Sequence, residues 1–437
     1  MRYHIWTEGC QMNEADSEKL AAGLAKLGWE PAAKADDADL AVVNTCVVRQ
    51  KAEDRAAGYL GRLRRLKEQR NGGGTLQIAV MGCMVGPRTD DLRARFPYVD
   101  VWARPQSFEV ILRHVLPESD LGGEFWPDTF PEPKGPTHFV PVIHGCNKFC
   151  TYCIVPYRRG RERSRTIDDI AREVASVCAR GVREVTLLGQ TVEAYGKDLP
   201  ADEGNRKPDL AGLFAAIHGT PGLQRIRFLT SYPRDMTDRI IRSVAELPKV
   251  CEHFNIPVQA ADNDVLARMR RGYTIEEYLE CVARIRDHVP QTSLSTDVIA
   301  GFCGETEEQF QRTLDLLAQV RFDKVHVAAY SPRPGTIAWR HMEDDVPQEE
   351  KMRRLRAVEV LQERIATEIN NRLLDTTQEV LVEGEKDGTF TGRNRGNKLV
   401  HFRADRPPAI GHVVDIRITG TTPWSLRGEL AASAVPA

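Results

Sequence analysis

Three cysteines lie close together in the segment Cys146-Asn-Lys-Phe-Cys150-Thr-Tyr-Cys153. The segment follows a predicted strand at 139–143, so one loop can bring the three sulfurs to a common centre. A cubane iron–sulfur cluster has four irons, and three thiolates leave one iron without a protein ligand. Such an iron can chelate the amino and carboxylate groups of S-adenosylmethionine and pass an electron to its sulfonium. The alternatives are a zinc site, for which His144 is the local fourth ligand, and a set of buried thiols.

A second set of cysteines lies where three predicted strands end, at Cys10, Cys46 and Cys83. The carboxyl ends of parallel strands share one edge of a sheet, where ligands usually bind, so these thiols can meet. We expect them to hold a second cluster, with small apolar thiols at strand ends as the alternative. The chain has ten cysteines and no secretion signal, which favours metal or redox chemistry over disulfides. Cys178 and Cys281 lack cluster spacing and are predicted to be core thiols on helices.

The elements that must position these cysteines form three segments of an α/β chain. Residues 1–118 alternate short β-branched runs with helical stretches, which is typical of βα units on a parallel sheet. After a Pro- and Gly-rich linker at 117–136, residues 132–368 repeat that alternation five or more times, which predicts a complete or partial (βα) barrel. Residues 371–435 contain short strands between turns, which predicts a small antiparallel β-barrel.

Size and charge limit the possible functions. A chain of 437 residues suggests two or three domains, and its formal net charge of -2 shows no overall excess of positive charge. Any contact with nucleic acid must therefore come from local basic patches. The N-terminal MRYHIWTEGC has no apolar signal run, and no stretch approaches the roughly 20 apolar residues that cross a bilayer. We expect a cytoplasmic location and no membrane partner.

The run GCNKFCTYCIVPYRRGRERSR at 145–165 resembles the radical motif of the radical S-adenosylmethionine methylthiotransferases. More narrowly, it is similar to the tRNA-2-methylthio-N6-dimethylallyladenosine synthases. The similarity continues through GVREVTLLGQ, MRRGYT, TDVIAG and YSPRPGT, in this order along the chain.

This resemblance implies a reaction and its cofactors. Acid–base catalysis does not readily break the C2–H bond of adenine, so replacing this hydrogen requires a radical that a cofactor supplies. The family uses two 4Fe-4S clusters and S-adenosylmethionine, which serves as methyl donor to sulfur and as radical source. The implied substrate is N6-dimethylallyladenosine next to the anticodon, in the anticodon arm of tRNA. A small flavodoxin- or ferredoxin-type protein is the expected electron donor, and the chain is expected to be a monomer.

Five residues are candidates for S-adenosylmethionine contacts. Tyr152 can present its backbone and ring to the adenine, or pack under the cluster loop. Gly189 and Gln190 end a strand where a close-approach glycine and a polar side chain can meet the methionine end. Gln259 and Asp297 close later strands and either reach ribose or substrate, or satisfy buried backbone groups.

The sequence departs from the family pattern in three places. Gln259-Ala-Ala-Asp262 stands where Gln-Ser-Gly-Ser is usual, Tyr232 replaces a common His, and Cys303 replaces a common Pro. The first departure puts hydroxyl contacts to the cosubstrate in doubt. None of the three involves the six cysteines expected to bind iron.

Two basic regions are candidates for tRNA contacts. Arg158, Arg159 and Arg161 belong to an arginine-rich run directly after the cluster loop, where RNA phosphates can pass. The C-terminal segment resembles the TRAM domain, a small RNA-binding β-barrel. Its candidate residues are Arg393, Arg395, Lys398, Arg403 and Arg406, with His401 and Phe402 among them. Ordinary surface charge is the alternative for both regions.

Three other functions are compatible with parts of the pattern. Related methylthiotransferases act on N6-threonylcarbamoyladenosine in tRNA or on an aspartate of a ribosomal protein. The segment NKFCTYCIVPY favours the dimethylallyl substrate over the threonylcarbamoyl and aspartate substrates. A non-enzymatic, metal-containing RNA-binding protein is the alternative from a different class.

Overall fold

The computed structural model describes residues 1–47, 50–70, 75–116, 129–201, 204–404 and 407–431. Most of the predicted linker, Arg406 and the predicted segment ends at 118 and 435 lie outside these residues. None of the helices in the described ranges combines the length and apolarity that crossing a bilayer requires.

The N-terminal segment is a parallel sheet with helices on both faces. Its strands run in the doubly wound order β2-β1-β3-β4-β5. The central strand reads LAVVNT and is buried along its whole length, as expected of a strand covered on both faces. The elements are β1 (Arg2–Thr7), α1 (Gln11–Lys26), β2 (Glu30–Pro31), β3 (Leu40–Thr45), α2 (Gln50–Arg70), β4 (Gln77–Gly82), α3 (Asp90–Arg95), β5 (Val101–Ala103) and α4 (Phe108–Val115).

The central segment is a partial barrel of six parallel strands. They form two groups, β10-β9-β6 and β11-β12-β13, which are joined by a single bridge between Ile226 and Val250. Its elements begin with β6 (Thr137–Pro141), β7 (Ile143–His144), α5 (Val155–Arg159), β8 (Arg163–Ser164), α6 (Ile167–Ala179), β9 (Glu184–Leu188), α7 (Leu210–His218), β10 (Arg225–Leu229) and α8 (Asp238–Glu246). They continue with β11 (His253–Asn255), α9 (Asn263–Arg268), α10 (Ile275–His288), β12 (Ser293–Ala300), α11 (Glu307–Val320), β13 (Lys324–Ala329), α12 (Ile337–His341) and α13 (Gln348–Asn371).

The C-terminal segment is a closed five-stranded barrel in the order β14-β15-β16-β18-β17. Its strand pairs are antiparallel except β16 with β18, which run parallel. The strands are β14 (Thr377–Lys386), β15 (Thr389–Asn394), β16 (Leu399–Arg403), β17 (Val413–Thr421) and β18 (Ser425–Leu430). Alternate apolar side chains fill the barrel interior.

The two outer segments contact opposite ends of the central barrel. Met12 and Ala15 of α1 pack on Leu188, the last residue of β9, in an apolar cluster that also includes Leu229 at the end of β10. The C-terminal barrel instead meets the amino ends of the central strands, where Arg225 begins β10. The carboxyl ends of the N-terminal sheet and those of the central barrel therefore lie toward each other.

Several strands differ from what the sequence predicts. The run FNIPV at 254–258 predicts a strand, but β11 ends at Asn255, because Pro257 has no N–H for a ladder. The strand expected at 139–143 is interrupted after Pro141 and resumes as the short β7. Cys10 does not close a strand but precedes α1, and β18 was not predicted at all.

The C-terminal barrel provides a test of its own packing. A Cβ at Gly392 would lie 2.0 Å from the backbone oxygen of Leu381. A Cβ at Gly420 would have ordinary contact distances, since the nearest atom apart from the adjoining residues is 3.8 Å away. We expect Gly392→Ala to lower the free energy of unfolding by about 1–3 kcal/mol, since backbone must move. Gly420→Ala in the same barrel is the control, and urea unfolding compares them. Equal stability of the two variants would show that the barrel relaxes freely at Gly392.

Candidate active site

The loop 145–153 carries the first cysteine triad and is fixed at both ends. Gly145 has φ +73°, and a Cβ there would lie 2.1 Å from the carbonyl oxygen of Arg161, so only glycine fits. The N–H of Cys146 donates to Gly160 (3.1 Å), and the N–H of Thr151 donates to Met269 (3.0 Å). These contacts place the loop at the carboxyl end of β6, as the sequence predicted.

The three thiols of this loop are close enough to interact electrostatically. Burial, together with the neighbouring thiols of Cys150 and Cys146, raises the pKa of Cys153 to about 12. Burial also raises the pKa of Cys146, whose sulfur lies 3.8 Å from the hydroxyl of Thr191. The raised pKa values of Cys146 and Cys153 favour their protonated thiols until a metal ion binds, because metal binding displaces the thiol proton.

A buried arginine lies against the first triad. Arg271, only 6% exposed, donates from Nη1 to the sulfur of Cys150 (3.5 Å) and to the hydroxyl of Tyr152 (3.4 Å). Its Nη2 donates to the carbonyl of Pro257 (2.9 Å), so the guanidinium is fixed in orientation. The sequence reasoning missed Arg271, although it lies in the quoted segment MRRGYT.

The second triad lies at the carboxyl edge of the N-terminal sheet, as predicted. Cys46 and Cys83 directly follow the neighbouring strands β3 and β4, and the N–H of Cys83 donates to the carbonyl of Thr45 (2.8 Å). Cys10 interacts electrostatically with Cys83. A Cβ built on Gly9 would lie 3.1 Å from the Cβ of Cys46, which places Cys46 beside the Cys10 loop.

A second buried arginine links this triad to the first cluster loop. Arg159 ends α5, directly after the first triad, yet its Nη1 lies 2.9 Å from Oδ2 of Asp16 in α1. Burial alone would lower the pKa of Arg159, but Asp16, Cys83 and Cys10 raise it above its usual value. Asn13 accepts from Arg159 (3.5 Å) and from the thiol of Cys10 (3.2 Å).

The donor sets fit two iron–sulfur clusters. Each triad consists of thiols beside one buried arginine, and a thiolate-bound cluster carries negative charge that such a cation compensates. Among the described residues, no three His, Cys, Asp or Glu side chains are arranged around a single metal ion. A four-iron cluster does not require that arrangement, because each thiolate binds a different iron.

Two candidate cosubstrate residues have clear packing roles. The ring of Tyr152 packs edge-on against Phe302 with centroids 6.3 Å apart, and its hydroxyl meets Arg271. A Cβ on Gly189 would lie 2.5 Å from the side chain of Ile143, so close packing within the barrel already requires this glycine. Gln190, the next residue, is half-buried. Their contact with S-adenosylmethionine stays a prediction.

The other two candidates lie side by side, Asp297 on β12 and Gln259 in the segment that follows β11. The N–H of Gln259 donates to the carbonyl of Asp297 (2.9 Å), and Gln259 has a positive φ of 71°. Asp297 accepts from the side chain of Asn255 (3.2 Å). Both side chains are half-buried, and their cosubstrate role also stays a prediction.

The structure contradicts three of the predicted RNA contacts. Arg159 is buried in its ion pair with Asp16 and cannot reach a phosphate. Arg395 pairs with Glu252 (2.7 Å) and Lys398 with Asp323 (2.5 Å), which ties the C-terminal barrel to the amino ends of the central strands. That end is opposite to the cysteine loops.

The remaining RNA candidates vary in exposure. Arg393 is 41% exposed, with Glu383 at 3.7 Å. Arg161 is exposed and lies over the ring of Phe149, whereas Arg158 is half-buried. Phe402 is only 2% exposed and stacks on Phe390 inside the barrel, so it is not available to a base. The predicted core positions of Cys178 in α6 and Cys281 in α10 are confirmed.

A buried carboxyl that the sequence did not indicate lies beside the first cluster loop. Glu193 is 3% exposed and accepts from the N–H of Tyr232 (3.1 Å). Burial raises the pKa of Glu193 to about 8, with Asp235 adding to the rise. Asp235 in turn pairs with Lys148 of the loop (2.5 Å). Glu193 is therefore an uncharged acid near neutral pH.

Comparisons with known proteins agree with this geometry. Residues 140–317 match the Radical SAM superfamily, residues 2–104 match Uncharacterized protein family UPF0004, and residues 372–431 match the TRAM domain. These matches lie within the three predicted segments, whose exact boundaries stay a prediction. A radical S-adenosylmethionine methyltransferase, TsrM, from Kitasatospora setae has a similar fold, with a TM-score of 0.56, 13% identity, and coverage of 89% of this chain and 81% of that chain. The family match, together with this fold, makes the chain a radical S-adenosylmethionine enzyme.

Comparison with curated relatives identifies the family within this class of enzymes. The chain is 47% identical over 99% of its length to the tRNA-2-methylthio-N(6)-dimethylallyladenosine synthase of Roseiflexus sp. (strain RS-1), covering 90% of that protein. It is 46% identical over 98% of its length to the synthase of the same name from Herpetosiphon aurantiacus, covering 97% of it. The chain belongs to the tRNA-2-methylthio-N(6)-dimethylallyladenosine synthase family.

The buried ion pair between α1 and α5 can be tested by removing one partner. We expect Arg159→Met or Asp16→Asn to lower the free energy of unfolding by about 3–5 kcal/mol, because the remaining charge or amide stays buried without its partner. Arg172→Met, which breaks an exposed pair with Asp169, should cost less than about 1 kcal/mol. Denaturant unfolding of the metal-free chain measures all three, and equal losses for Arg159→Met and Arg172→Met would contradict the assignment.

Glu193 predicts a specific pH dependence of stability. Its folded pKa of about 8 lies above its ordinary value of 4.5, so the folded state holds the proton more tightly. The stability this group contributes is complete below pH 4.5 and is lost as pH rises toward 8. Between these pH values the free energy of unfolding should fall with rising pH, and Glu193→Gln should reduce that slope by up to about 1.4 kcal/mol per pH unit. The exposed Glu280→Gln is the control, and identical slopes in both variants would refute the prediction.

Proposed function

We propose that this enzyme converts N6-dimethylallyladenosine to its 2-methylthio derivative in tRNA, next to the anticodon. We further propose that Cys146, Cys150 and Cys153 hold one 4Fe-4S cluster and that Cys10, Cys46 and Cys83 hold the other. S-adenosylmethionine is the proposed methyl donor and radical source, a flavodoxin- or ferredoxin-type protein the electron donor, and the cytoplasm the location.

One observation carries the proposal most directly. Two cysteine triads lie on carboxyl-end loops of two parallel βα domains that face each other, and each triad has one buried arginine against it. Insertion of a methylthio group needs a radical source and a sulfur site within reach of one substrate. The similarity to curated synthases over nearly the whole chain supports the same assignment.

The side chains of this protein position the reacting groups and exclude water. The clusters and S-adenosylmethionine, when bound, supply the one-electron chemistry that opens the C2–H bond and the methylated sulfur that replaces the hydrogen. Arg271 fixes Cys150 and Tyr152 in one orientation, and Arg159 fixes α5 against α1. The apolar contact of Met12 with Leu188 excludes water where α1 meets the carboxyl ends of the central strands.

The tRNA contacts are proposed for the exposed part of the basic surface. Arg161 and Arg163 are exposed just beyond the first cluster loop, and Arg403 is exposed on the C-terminal barrel. Positive charge at these positions can hold the phosphates of a tRNA arm while the target base is splayed into the site. The enzyme is proposed to act as a monomer.

The decisive experiment is mass spectrometry of nucleosides from tRNA that carries N6-dimethylallyladenosine. We expect the reconstituted protein with reductant, sulfide and S-adenosylmethionine to form the 2-methylthio derivative under anaerobic conditions. Cys146→Ala should abolish both the product and 5′-deoxyadenosine, whereas Cys83→Ala should abolish the product and retain 5′-deoxyadenosine. Each variant should hold about four fewer irons than the wild type.

The matched control is Cys178→Ala, which removes a buried thiol on α6 that lies outside both triads. It should keep full iron content and product. If the protein modified tRNA bearing threonylcarbamoyladenosine and not tRNA bearing N6-dimethylallyladenosine, the assigned substrate would change to the former. If a protein with full iron content formed neither the product nor 5′-deoxyadenosine, the assignment of this chain as a radical enzyme would be wrong.

A further inference from the structure

Arg271 is a buried cation that has no carboxylate partner in the described part of the chain. It lies in the loop between α9 and α10 and is only 6% exposed. Its Nε donates to the hydroxyl of Tyr273 (3.0 Å), its Nη2 to the carbonyl of Pro257 (2.9 Å) and its Nη1 to the hydroxyl of Tyr152 (3.4 Å). These oxygens satisfy the donors of the guanidinium, but none of them belongs to a carboxylate.

Two other buried arginines show how this fold compensates such a charge elsewhere. Arg159 pairs with Asp16, and Arg227 pairs with Glu184, each at 2.9 Å. A guanidinium withdrawn from water is costly unless a negative group lies beside it. Arg271 therefore needs a negative partner that the carboxylates of this protein do not provide.

Aromatic rings hold the guanidinium of Arg271 in one orientation. It lies over the rings of Tyr232 and Tyr273, at 5.1 Å and 5.2 Å from their centroids. The hydroxyl of Tyr232 also donates to the backbone carbonyl of Arg271. The face of a ring attracts a cation but offsets only part of the cost of burying it. The side chain is thus fixed in place, while its charge remains available to a negative neighbour.

The remaining neighbour of Arg271 is a sulfur of the first triad. Its Nη1 lies 3.5 Å from Sγ of Cys150, which is itself buried. A thiol sulfur is a weak acceptor, whereas a thiolate that binds iron carries negative charge and accepts a charge-assisted hydrogen bond. An iron–sulfur cluster held by Cys150 would therefore supply the negative partner that Arg271 lacks.

A fixed cation at this sulfur acts on the reduction potential of the cluster. Reduction by one electron adds one negative charge to the cluster, and a buried cation stabilises the reduced form more than the oxidised form. We propose that Arg271 raises the reduction potential of the first cluster, that of Cys146, Cys150 and Cys153, so that a one-electron donor protein can reduce it. This inference rests on the proposed function. Arg271 is a positioning residue that acts through Cys150 and itself carries no electron.

Anaerobic redox titration of the full-length protein, followed by electron paramagnetic resonance, tests the inference. The parent for this experiment carries Cys10→Ala, Cys46→Ala and Cys83→Ala, so that the first cluster is the only paramagnetic centre. Dithionite supplies the electron, and S-adenosylmethionine is left out. We expect Arg271→Gln, which removes the charge but keeps an amide donor for Pro257, to lower the midpoint potential by about 59 mV, a tenfold change in the equilibrium constant for reduction. Arg271→Lys retains the charge without the planar fork and should restore part of that potential.

The matched control removes a buried arginine at the opposite end of the central barrel. Arg225 is only 1% exposed and pairs with Glu379 (2.8 Å), so Arg225→Gln should leave the midpoint potential equal to that of the parent. Iron analysis and thermal unfolding check that each variant is loaded and folded. Equal midpoint potentials for Arg271→Gln and Arg225→Gln would overturn the inference.

If Arg271→Gln holds no iron, urea unfolding of the metal-free chains decides. An uncompensated charge predicts that Arg271→Gln loses less stability than Arg225→Gln, which breaks a buried ion pair with Glu379. Equal losses of stability would show that the protein already compensates Arg271 without iron, and the inference would be wrong.

The outcomes also separate this inference from the proposed function. A parent protein that holds no iron at the first triad overturns the proposed function and the inference together. Normal iron content with an unchanged midpoint potential overturns the inference alone. If Arg271→Gln then binds S-adenosylmethionine more weakly, Arg271 contacts the cosubstrate and does not set the potential.

Discussion

The buried ion pair of Arg159 with Asp16 holds the two cysteine-bearing domains in one register. Arg159 closes the helix that leaves the first cluster loop, and Asp16 lies in the helix that follows Cys10. Both side chains are almost fully withdrawn from solvent, so neither can be satisfied unless the two helices meet in this register. The desolvation of the arginine is further offset by Asn13 and by the thiols of Cys10 and Cys83. The position of one triad relative to the other thus depends on this contact.

This arrangement follows from a shared property of the two folds. The N-terminal sheet and the central barrel are both parallel, so each presents its loops and its cysteines at the carboxyl ends of strands. Packing the two carboxyl edges toward each other brings the two cysteine triads to the same side of the molecule. The C-terminal barrel must then dock elsewhere, and it occupies the amino ends, where Arg225 and Arg227 donate to the carbonyls of residues 393–395.

The sequence was informative where chemistry depends on local spacing, and uninformative where it depends on tertiary partners. Both triads were predicted because one lies on a single loop and the other lies in the loops that follow three parallel strands, although Cys10 comes at the start of α1 and not at the end of β1. Arg159, Arg395 and Lys398 were misassigned because a run of charges does not show which member turns inward to a carboxylate on another domain. The sequence did not indicate Glu193, because its burial depends on elements that are distant from it in the chain. The strand β18, with sequence SLRGEL, was missed because Gly428 interrupts the alternation; the barrel needs that glycine, whose Cβ would meet backbone at 2.4 Å.

The two ends of the central barrel differ in what closes them. At the amino end, Arg225 and Arg227 are nearly unexposed and bound to Glu379, Glu184 and backbone carbonyls. Separating such partners leaves buried charge uncompensated, at about 3–5 kcal/mol for each pair. At the carboxyl end, the buried ion pair of Arg159 with Asp16 holds α5 against α1, and beside it lies a small apolar contact centred on Met12 and Leu188. Re-exposing one side chain of that apolar contact costs about 1.5–3 kcal/mol, which is less than separating a buried ion pair. We therefore expect a base to enter by displacing the apolar contact while the Arg159–Asp16 pair stays intact, at the end where both cysteine triads lie.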